Sequence, residues 1–483
     1  MLFAVPRFVV LKAPSENGYL NVTTANISEA EGLPKGLIKS GAEDVMSPFA
    51  KVELELSKST DGQKKVWVHI RSCYNNKYWV KAEYSDWIVA TAEKPEEDKS
   101  KPSCTLFEIP NNTDVPMSNI QGQSWAIWLN HVNSGKFVTL GKYDINHKGV
   151  KLSAGNIRMF PMEFIMVNWQ NLVVLPKRVA FKDKSGKYLC ARIIEGYQYH
   201  QFAETERDET AEYEVTTTSN GCVRIKSLHH GAFWRRSPNW IWADSSDESS
   251  NNPDTLFWPI KVSDNVVALR NMGNNLFCKS LTTEGKTNCL NAGTPSIETS
   301  AQLVVEELVV SRDIYHINFH LQNARVYNES FIALAKGGVA NYSDGTEPKT
   351  YTLKLTYKDV KSSFWSHSLS LKLEAKIEVK AIIIPEIIQG QLNLQANFDW
   401  KHRWGESHST KTMVEPSYSV TVPPRTKTTV TLVATMALCD VPFSYTQSDI
   451  LSNGCSVTKL MHDGVFVGGN YYNFEFKEEL EKL

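Results

Sequence analysis

An internal repeat is the feature that most limits how this 483-residue chain can fold. Strand-like blocks early in the sequence recur later in the same order, at a period of about 165 residues, and such self-similarity indicates tandem copies of one structural unit. The first two thirds of the chain are therefore predicted to hold two copies of one domain. The matching blocks begin at Arg7 and Arg178, Val66 and Cys222, Asp86 and Asn239, Thr105 and Thr255, and Ala126 and Val267.

Each copy contains a shorter repeat, which consists of an alternating strand, a Gly or Asn turn and an aromatic-rich strand. Short strands with frequent turns predict an all-β fold. Three such units per copy predict a three-fold β-trefoil, with domains at residues 1–168 and 169–308. The units are marked by Gly18-Tyr19-Leu20, Lys77-Tyr78-Trp79 and Gly135-Lys136-Phe137 in the first copy, and by Gly186-Lys187-Tyr188-Leu189, Gly231-Ala232-Phe233-Trp234 and Asn275-Leu276-Phe277 in the second.

These blocks resemble the agglutinin domains of amaranthin-like plant lectins, a resemblance that covers residues 1–308. It implies two β-trefoils in tandem that bind glycans containing galactose or N-acetylgalactosamine. The partners implied are glycans on glycoproteins or glycolipids. In that family the sugar site lies between domains of two subunits, so a dimer in solution is also implied.

Aromatic rings and amide or carboxylate groups occur together at matching places in the two copies, as a sugar site needs. An alternative is open for the second aromatic of each pair, Trp79 and Trp234, which the repeat pattern also fits as a core residue. Asn75, Asn76 and Tyr78 are the preferred contacts, and the second copy lacks the paired Asn. The candidate sugar-binding residues are Asn75, Asn76, Tyr78, Trp79, Asp86, Trp87, His229, His230 and Trp234.

From about Ser311 the aromatic repeat stops, and a third domain is predicted at residues 309–483. Between Ser363 and Glu406 apolar and polar residues alternate over two long arms, and because β side chains alternate faces, each arm has one apolar face. An apolar segment, Ile382–Ile388 with a Pro385-Glu386 break, is predicted as the tip between the arms. The apolar face, predicted to contact a membrane, carries Leu369, Leu371, Leu373, Ile377, Val379, Leu392, Leu394, Phe398 and Trp400.

Two interpretations of this segment are open. It can be an ordinary half-buried hairpin of a β-sandwich, or a prestem that inserts into a membrane. The arms are longer than usual strands, and a strand with one apolar and one polar face can cross lipid only within a closed barrel, where all backbone groups are paired. One hairpin cannot close a barrel, so the pore interpretation requires a ring of several copies.

The segment also resembles the aerolysin family of β-pore-forming toxins, through the amphipathic hairpin, its Ser- and Thr-rich flanking strands and Trp404-Gly405-Glu406. The resemblance covers residues 311–483 and implies an elongated β-sandwich or twisted-sheet domain whose hairpin unfolds into a shared barrel. The near balance of charges on the polar face predicts weak ion selectivity. The implied lumen residues are Lys372, Glu374, Lys376, Glu378, Lys380, Gln391, Asn393, Gln395, Asn397 and Asp399.

Composition excludes several other classes. The net charge of −1 gives no global attraction to nucleic acid, and no apolar run is long enough for a membrane-spanning helix. The N-terminus lacks a basic leader, so we expect synthesis in the cytoplasm and a membrane location only for a pore form. The eight cysteines show no metal-ligand spacing, and they are expected to be mostly free, with Cys439 and Cys455 the one pair that could be bridged.

No catalytic motif, cofactor site or metal site is expected. Three functions from different classes remain: a lectin that forms pores after binding a glycosylated membrane, as in a plant defence protein; an oligomeric lectin whose C-terminal domain serves assembly without membrane insertion; and a carbohydrate-active enzyme. The first is preferred, because the long arms and the mixed charges and amides of the polar face suit a membrane barrel better than an ordinary hairpin. The enzyme is the least favoured, because the sequence has no HExxH or GxSxG motif.

Overall fold

The structure is a computed structural model of the chain. It describes residues 5–16, 18–23, 33–58, 66–109, 124–145, 147–153, 162–249, 251–366, 371, 378–379, 383–396 and 402–483. Within these residues every regular element is a β-strand or a three-residue 3₁₀ helix, so the all-β prediction is confirmed. The chain forms two compact units: residues 1–311 with 368–375 and 449–457, and residues 312–367 with 376–448 and 458–483.

The first copy of the repeat forms one sheet of thirteen strands. Successive pairings form a ring: β1 with β4, β4 with β5, β5 with β8, and β8 with β10. Strand β9, which directly precedes β10 in the chain, pairs with β13, and β13 pairs with β1. The strands are β1 (Phe8–Lys12), β2 (Tyr19–Val22), β3 (Ile38–Ala42), β4 (Val52–Leu56), β5 (Val66–Ser72), β6 (Lys77–Lys81), β7 (Ile88–Ala92), β8 (Leu106–Ile109), β9 (Ser124–Ile127), β10 (Asn130–His131), β11 (Lys136–Lys142), β12 (Lys148–Leu152) and β13 (Phe164–Asn168).

The second copy forms a twelve-stranded sheet with the same plan. Strands β14, β17, β18, β21, β22 and β25 pair in that order, and β25 pairs with β14 to close a ring of six. The strands are β14 (Arg178–Lys182), β15 (Tyr188–Ile194), β16 (Tyr197–Glu204), β17 (Tyr213–Thr217), β18 (Val223–Ser227), β19 (Ala232–Ser237), β20 (Trp240–Ser245), β21 (Phe257–Ser263), β22 (Val266–Asn271), β23 (Phe277–Thr283), β24 (Lys286–Thr294) and β25 (Leu303–Glu307).

Three hairpins of the second copy, β15–β16, β19–β20 and β23–β24, pair with one another at one end of the ring. Strand β16 pairs with β20 and β24, and β20 pairs with β24. In the first copy β12 pairs with β3, and single bridges join Leu37 to Val89 and Trp87 to Lys151. Each copy therefore has three hairpins that meet at one end, which we call the hairpin end.

The turn that leads from a ring strand into a hairpin is the same at several positions. Asn76, Gly135, Gly231 and Asn275 end these turns with positive φ angles of 54°, 65°, 69° and 59°. Gly and Asn are the residues that adopt this left-handed backbone most readily. The Gly or Asn turn predicted for the short repeat is therefore present.

Each copy has its own core. Trp79 with Phe107 fills the first, and Trp234 with Phe181, Tyr213 and Phe257 fills the second. A separate apolar cluster joins the copies, in which Val45 and Leu172 lie with Trp258. Short 3₁₀ helices occur at Trp169–Asn171, Glu209–Ala211, Pro253–Thr255, Thr299–Ala301 and Leu321–Asn323.

The second compact unit is built on long strands. An eight-stranded sheet has the order β33-β30-β26-β36-β37-β29-β34, with β27 paired to β36, and two further sheets pair β28 with β35 and β31 with β32. The strands are β26 (Val309–Phe319), β27 (Arg325–Asn341), β28 (Lys349–Lys354), β29 (Tyr357–Ser366), β30 (Glu378–Val379), β31 (Ile383–Ile388), β32 (Gln391–Ala396), β33 (His402–Arg403), β34 (Ser407–Val414), β35 (Ser417–Val422), β36 (Thr426–Leu451) and β37 (Ser456–Lys482).

All eight cysteines are free, as most were expected to be. Cys439 is buried in β36 and Cys455 is exposed beside the β36–β37 turn, so the possible bridge between them is absent.

Candidate functional site

The predicted sugar contacts around β5 and β6 are occupied by structural interactions. Asn76 is buried, ends a turn and accepts a hydrogen bond from the guanidinium of Arg71, which also donates to Glu53. The Tyr78 hydroxyl donates to Glu55 at 2.8 Å. Burial alone would raise the pKa of Glu53, but the charge of Arg71 and the hydrogen bonds from Arg7 and Arg71 hold it below its ordinary value. These side chains form a buried ionic network.

Asn75 is half-buried beside the same turn, and both ends of its amide are used. Its Nδ2 donates to the Ala90 carbonyl at 3.0 Å, and its Oδ1 accepts from the Lys77 amide at 3.1 Å. Both bonds join backbone groups of the turn and β7, so Asn75 positions the turn.

Trp79 and Trp234 lie in the cores of their copies. Trp79 is 1% exposed and donates its indole N–H to Ser72 at 3.0 Å, and Trp234 is fully buried. The ring faces that could stack on a sugar are covered by protein, which agrees with the core alternative left open by the sequence.

Asp86 and Trp87 lie at the hairpin end of the first copy and remain partly accessible. The Asp86 carboxylate accepts from Lys136 Nζ at 3.2 Å, and the Trp87 ring lies 5.4 Å from that of Tyr143. Gly149 packs so closely against this indole that a Cβ at position 149 would lie 2.9 Å from the ring. The structure thus brings a carboxylate, a cation and an aromatic pair together here.

His229 and His230 follow β18 in the second copy. His229 is exposed, His230 is half-buried, and their rings lie 5.2 Å apart. Burial lowers the pKa of His230, and the neighbouring His229 adds to this effect. Both residues lie in the turn after β18, which ends at Gly231 as the turn after β5 ends at Asn76, so they occupy the place that matches Asn75 in the first copy.

Four aromatic residues at the hairpin end of the second copy were not among the candidates. Tyr197 and Tyr199 on β16 contact Trp240 and Trp242 on β20. The sequence carried a signal for them, because Trp240 and Trp242 alternate along one strand and must share a face. The opposing Tyr residues could not be paired with them without the β16–β20 register.

In the second compact unit, the hairpin β31–β32 turns at Gln389-Gly390. Both residues have positive φ angles, 51° and 77°, as a two-residue hairpin turn of type I′ requires. The predicted tip at Ile382–Ile388 is therefore wrong, since Ile383–Ile388 is a strand. Pro385 is tolerated there because β31 pairs on one side only within its sheet, and such edges do not need every N–H.

The register of the hairpin separates its faces. Ile383 lies opposite Ala396, Pro385 opposite Leu394 and Ile387 opposite Leu392, and cross-strand partners share a face. All six residues of this face are apolar. The other face holds Glu386, Gln391, Asn393 and Gln395 with Ile384 and Ile388.

Polar side chains attach this hairpin to its unit. The amide of Asn470 on β37 receives a hydrogen bond from the Ile387 N–H at 3.0 Å and donates to the Ile387 carbonyl at 2.8 Å. Lys361 Nζ on β29 donates to Glu386 at 2.5 Å. The Asn470 amide thus replaces a neighbouring strand for one residue of β31.

Leu371, predicted to face a membrane, is buried in the core cluster of the second copy. Only the backbone of Glu378 and Val379 is described. Eleven predicted pore residues lie outside the described residues: Leu369, Lys372, Leu373, Glu374, Lys376, Ile377, Lys380, Asn397, Phe398, Asp399 and Trp400.

The agglutinin domain family matches this sequence twice, at residues 3–142 and 173–309, which together exceed half of the chain. The chain belongs to the agglutinin domain family. The two copies of the repeat are its two agglutinin domains, as the resemblance to amaranthin-like lectins implied.

Among solved structures, a lamprey immune protein is 12% identical, with a TM-score of 0.30 over 75% of this chain and 88% of its own. A mosquitocidal holotoxin is 10% identical, with a TM-score of 0.28 over 66% of this chain and 36% of its own. Parasporin-2, a Bacillus thuringiensis toxin that recognizes cancer cells, is 15% identical, with a TM-score of 0.22 over 44% and 88%. None of these likenesses is close enough to carry function to this chain.

No curated protein matches the sequence. Within the described parts of the chain, no helix has the length and apolar character needed to cross a membrane.

Proposed function

We propose that this protein is a lectin that forms pores: two β-trefoil agglutinin domains bind glycans on a membrane, and the C-terminal domain at residues 309–483 then inserts a β-barrel shared by several copies. The observation that carries the proposal is the β31–β32 hairpin, which has a wholly apolar face in a protein with tandem agglutinin domains.

The β-trefoil assignment, with domains at residues 1–168 and 169–308, is supported by the strand pairings. A closed ring of six strands with three hairpins meeting at one end is the plan of that fold, and the second copy has all these pairings. Loops and hairpins held on such a rigid ring are where binding residues usually lie.

Galactose or N-acetylgalactosamine is the proposed sugar, on the strength of the lectin resemblance. Of the predicted contacts, Asp86 and Trp87 suit this role best in the first domain. Their carboxylate and ring are partly accessible, and Lys136 and Tyr143 add a cation and a second ring beside them.

The alternation of apolar residues continues in the sequence beyond the described strands. In the sequence, apolar side chains occupy the odd positions from Leu369 to Ile387 and the even positions from Leu392 to Trp400. Arms of this length exceed the roughly 9–11 residues that a tilted transmembrane strand needs. The two arms are therefore long enough to supply one hairpin of a membrane barrel.

The hairpin is held to its unit by two sets of polar bonds and by the packing of Ile387 in a core cluster. The Asn470 amide, the Lys361–Glu386 ion pair and the burial of Ile387 must all be given up when the hairpin extends. In a closed barrel the backbone groups of Ile387 regain strand partners. Insertion therefore replaces the two hydrogen bonds between the Asn470 amide and Ile387 with ordinary β-pairing.

The oligomeric lectin without membrane insertion is the second candidate, and one observation favours it. Leu371 is buried in the core of the second agglutinin domain, so this part of the first arm contributes to a folded domain. If that contact is permanent, the arm cannot extend.

The test is dye release from liposomes that display galactose-terminated glycolipids, with and without free galactose, and with free glucose as the matched control. The proposal expects leakage that galactose blocks and glucose does not. Leakage indifferent to sugar would overturn glycan targeting, and binding without leakage would favour the oligomeric lectin.

A further inference from the structure

The hairpin end of the second agglutinin domain exposes an ordered aromatic surface. The rings of Tyr197 and Trp242 are stacked, with centroids 4.4 Å apart and planes 16° apart. Tyr197 is nevertheless 48% exposed, and Trp242 is half-buried. Tyrosine and tryptophan rings with one apolar part and one part in water are enriched at binding interfaces.

The backbone fixes this pair in place. Trp242 on β20 lies directly opposite Tyr199 on β16, and Tyr197 projects from the same face of β16 two residues earlier. Tyr199 is buried and contacts both Trp240 and Trp242 edge-on, so it supports the surface from below. The ring of Tyr197 is thus positioned before any ligand arrives.

An oriented carboxylate, Asp244, lies two residues after Trp242 along β20. Arg235 is the cross-strand partner of Trp242 on β19, and its guanidinium lies 6.0 Å from the indole ring. It donates from Nε and Nη2 to the two oxygens of Asp244, at 3.0 Å and 2.6 Å. A carboxylate has about four acceptor positions, so about two remain for hydroxyl donors.

The first agglutinin domain shows that the fold does not need an aromatic residue at this position. The block Asp86-Trp87-Ile88-Val89-Ala90 matches Asn239-Trp240-Ile241-Trp242-Ala243, which places Val89 where the second domain has Trp242. Val89 is buried and pairs with Leu37. Trp242 is therefore an addition to the shared scaffold.

We propose that Tyr197, Trp242 and Asp244 form a second glycan site, which binds a terminal galactose or N-acetylgalactosamine pyranoside. The exposed face of the Tyr197–Trp242 stack takes the apolar C–H face of the sugar ring, and Asp244, oriented by Arg235, accepts from its hydroxyls. The site rests on the proposed lectin function and adds to it a second, independent point of attachment. Two sites on one chain raise the avidity for a membrane that displays many copies of the sugar.

The test is isothermal titration calorimetry of the full chain with methyl β-galactopyranoside and with N-acetylgalactosamine. The variants are Tyr197→Ala, which removes the exposed ring, and Trp242→Val, which installs the residue of the first domain. Tyr84→Ala is the matched control, because Tyr84 is a 91% exposed tyrosine of the first domain. Thermal unfolding of each variant checks that the fold is retained.

We expect the unaltered chain to bind more than one equivalent of sugar. Each variant should weaken one class of site by about tenfold, the upper range for loss of an aromatic contact, and the control should bind normally. Unchanged stoichiometry and affinity in folded Tyr197→Ala and Trp242→Val would overturn the second glycan site and leave the proposed lectin function unaffected. Absence of binding by the unaltered chain would overturn both.

Discussion

The agglutinin domains and the β31–β32 hairpin bury apolar side chains in opposite ways. Each domain closes its strands around its core, and Trp79 and Trp234 are at most 1% exposed. The hairpin also has an apolar face, on which Pro385 and Ile387 are buried while Ile383 and Leu394 are each 39% exposed. The agglutinin domains thus enclose their large core side chains fully, whereas the hairpin leaves part of its apolar face exposed.

The difference indicates where the change from the packed form to the proposed membrane-inserted form can begin. Buried apolar surface contributes about 25 cal/mol per Å², so opening an agglutinin core loses many such contacts at once. The hairpin is held by apolar packing around Ile387 and by directional polar bonds, from Asn470 to Ile387 and from Lys361 to Glu386. Polar bonds can be exchanged for other polar bonds at little net change in free energy.

The largest effect should come from the closed core. Trp234→Ala removes a fully buried ring that contacts Phe181, Tyr213 and Phe257, and such truncations cost about 3–5 kcal/mol. We expect the urea transition of the second agglutinin domain to shift by this amount, measured by circular dichroism. His229→Ala, at an exposed position of the same domain, is the control. A loss below about 1 kcal/mol would contradict the closed-core description.

A charge on the apolar face of the hairpin should come next. Leu394→Lys places an ammonium where the proposed barrel contacts lipid, at about 2–4 kcal/mol per copy near the bilayer centre. We expect dye release to be lost while sugar binding is kept, since Leu394 is already part-exposed in the soluble form. Asn393→Lys, on the opposite face of the same strand, is the matched control. Equal leakage from both variants would show that this face does not enter lipid.

Removing the hydrogen bonds between Asn470 and Ile387 should have a smaller effect, and it should raise dye release rather than lower it. Asn470→Ala leaves the N–H and C=O of Ile387 without their amide partner, which costs about 1–3 kcal/mol in the soluble form. We expect faster hydrogen exchange over residues 383–396 and faster dye release. Glu475→Ala, an exposed change on the same strand, should leave both rates unchanged. Slower leakage in Asn470→Ala would place Asn470 in the inserted state instead.

The sequence predicted the parts of this comparison that depend on periodicity. The internal repeat revealed the two agglutinin domains, and strict alternation identified the apolar residues of β32. It did not place the hairpin turn, because Ile383–Ile388 reads as an apolar tip until the left-handed Gln389-Gly390 turn is known.

Sugar-site prediction was weaker for a physical reason. Amides and aromatic residues near a turn serve equally well in an ionic network or in a core, as Asn76, Tyr78 and Trp79 do. Which ring stays exposed depends on pairing between distant strands. Tyr197 and Trp242 are separated by many residues in sequence and meet only through the β16–β20 register.

The smallest effect, an acid sensitivity, should belong to the agglutinin domains. His200 is buried in the second domain beside Tyr213, Trp234 and His230, and burial followed by the charge of His230 holds its pKa well below 6.5. The unfolded chain therefore binds a proton below about pH 6.5 that the folded domain does not, so stability is full above that pH and falls as the pH is lowered. One such group contributes up to about 1.4 kcal/mol per pH unit. We expect His200→Phe to flatten this slope in urea titrations between pH 7 and 5, and His229→Ala to leave it unchanged; an identical slope in His200→Phe would assign the acid sensitivity to other groups.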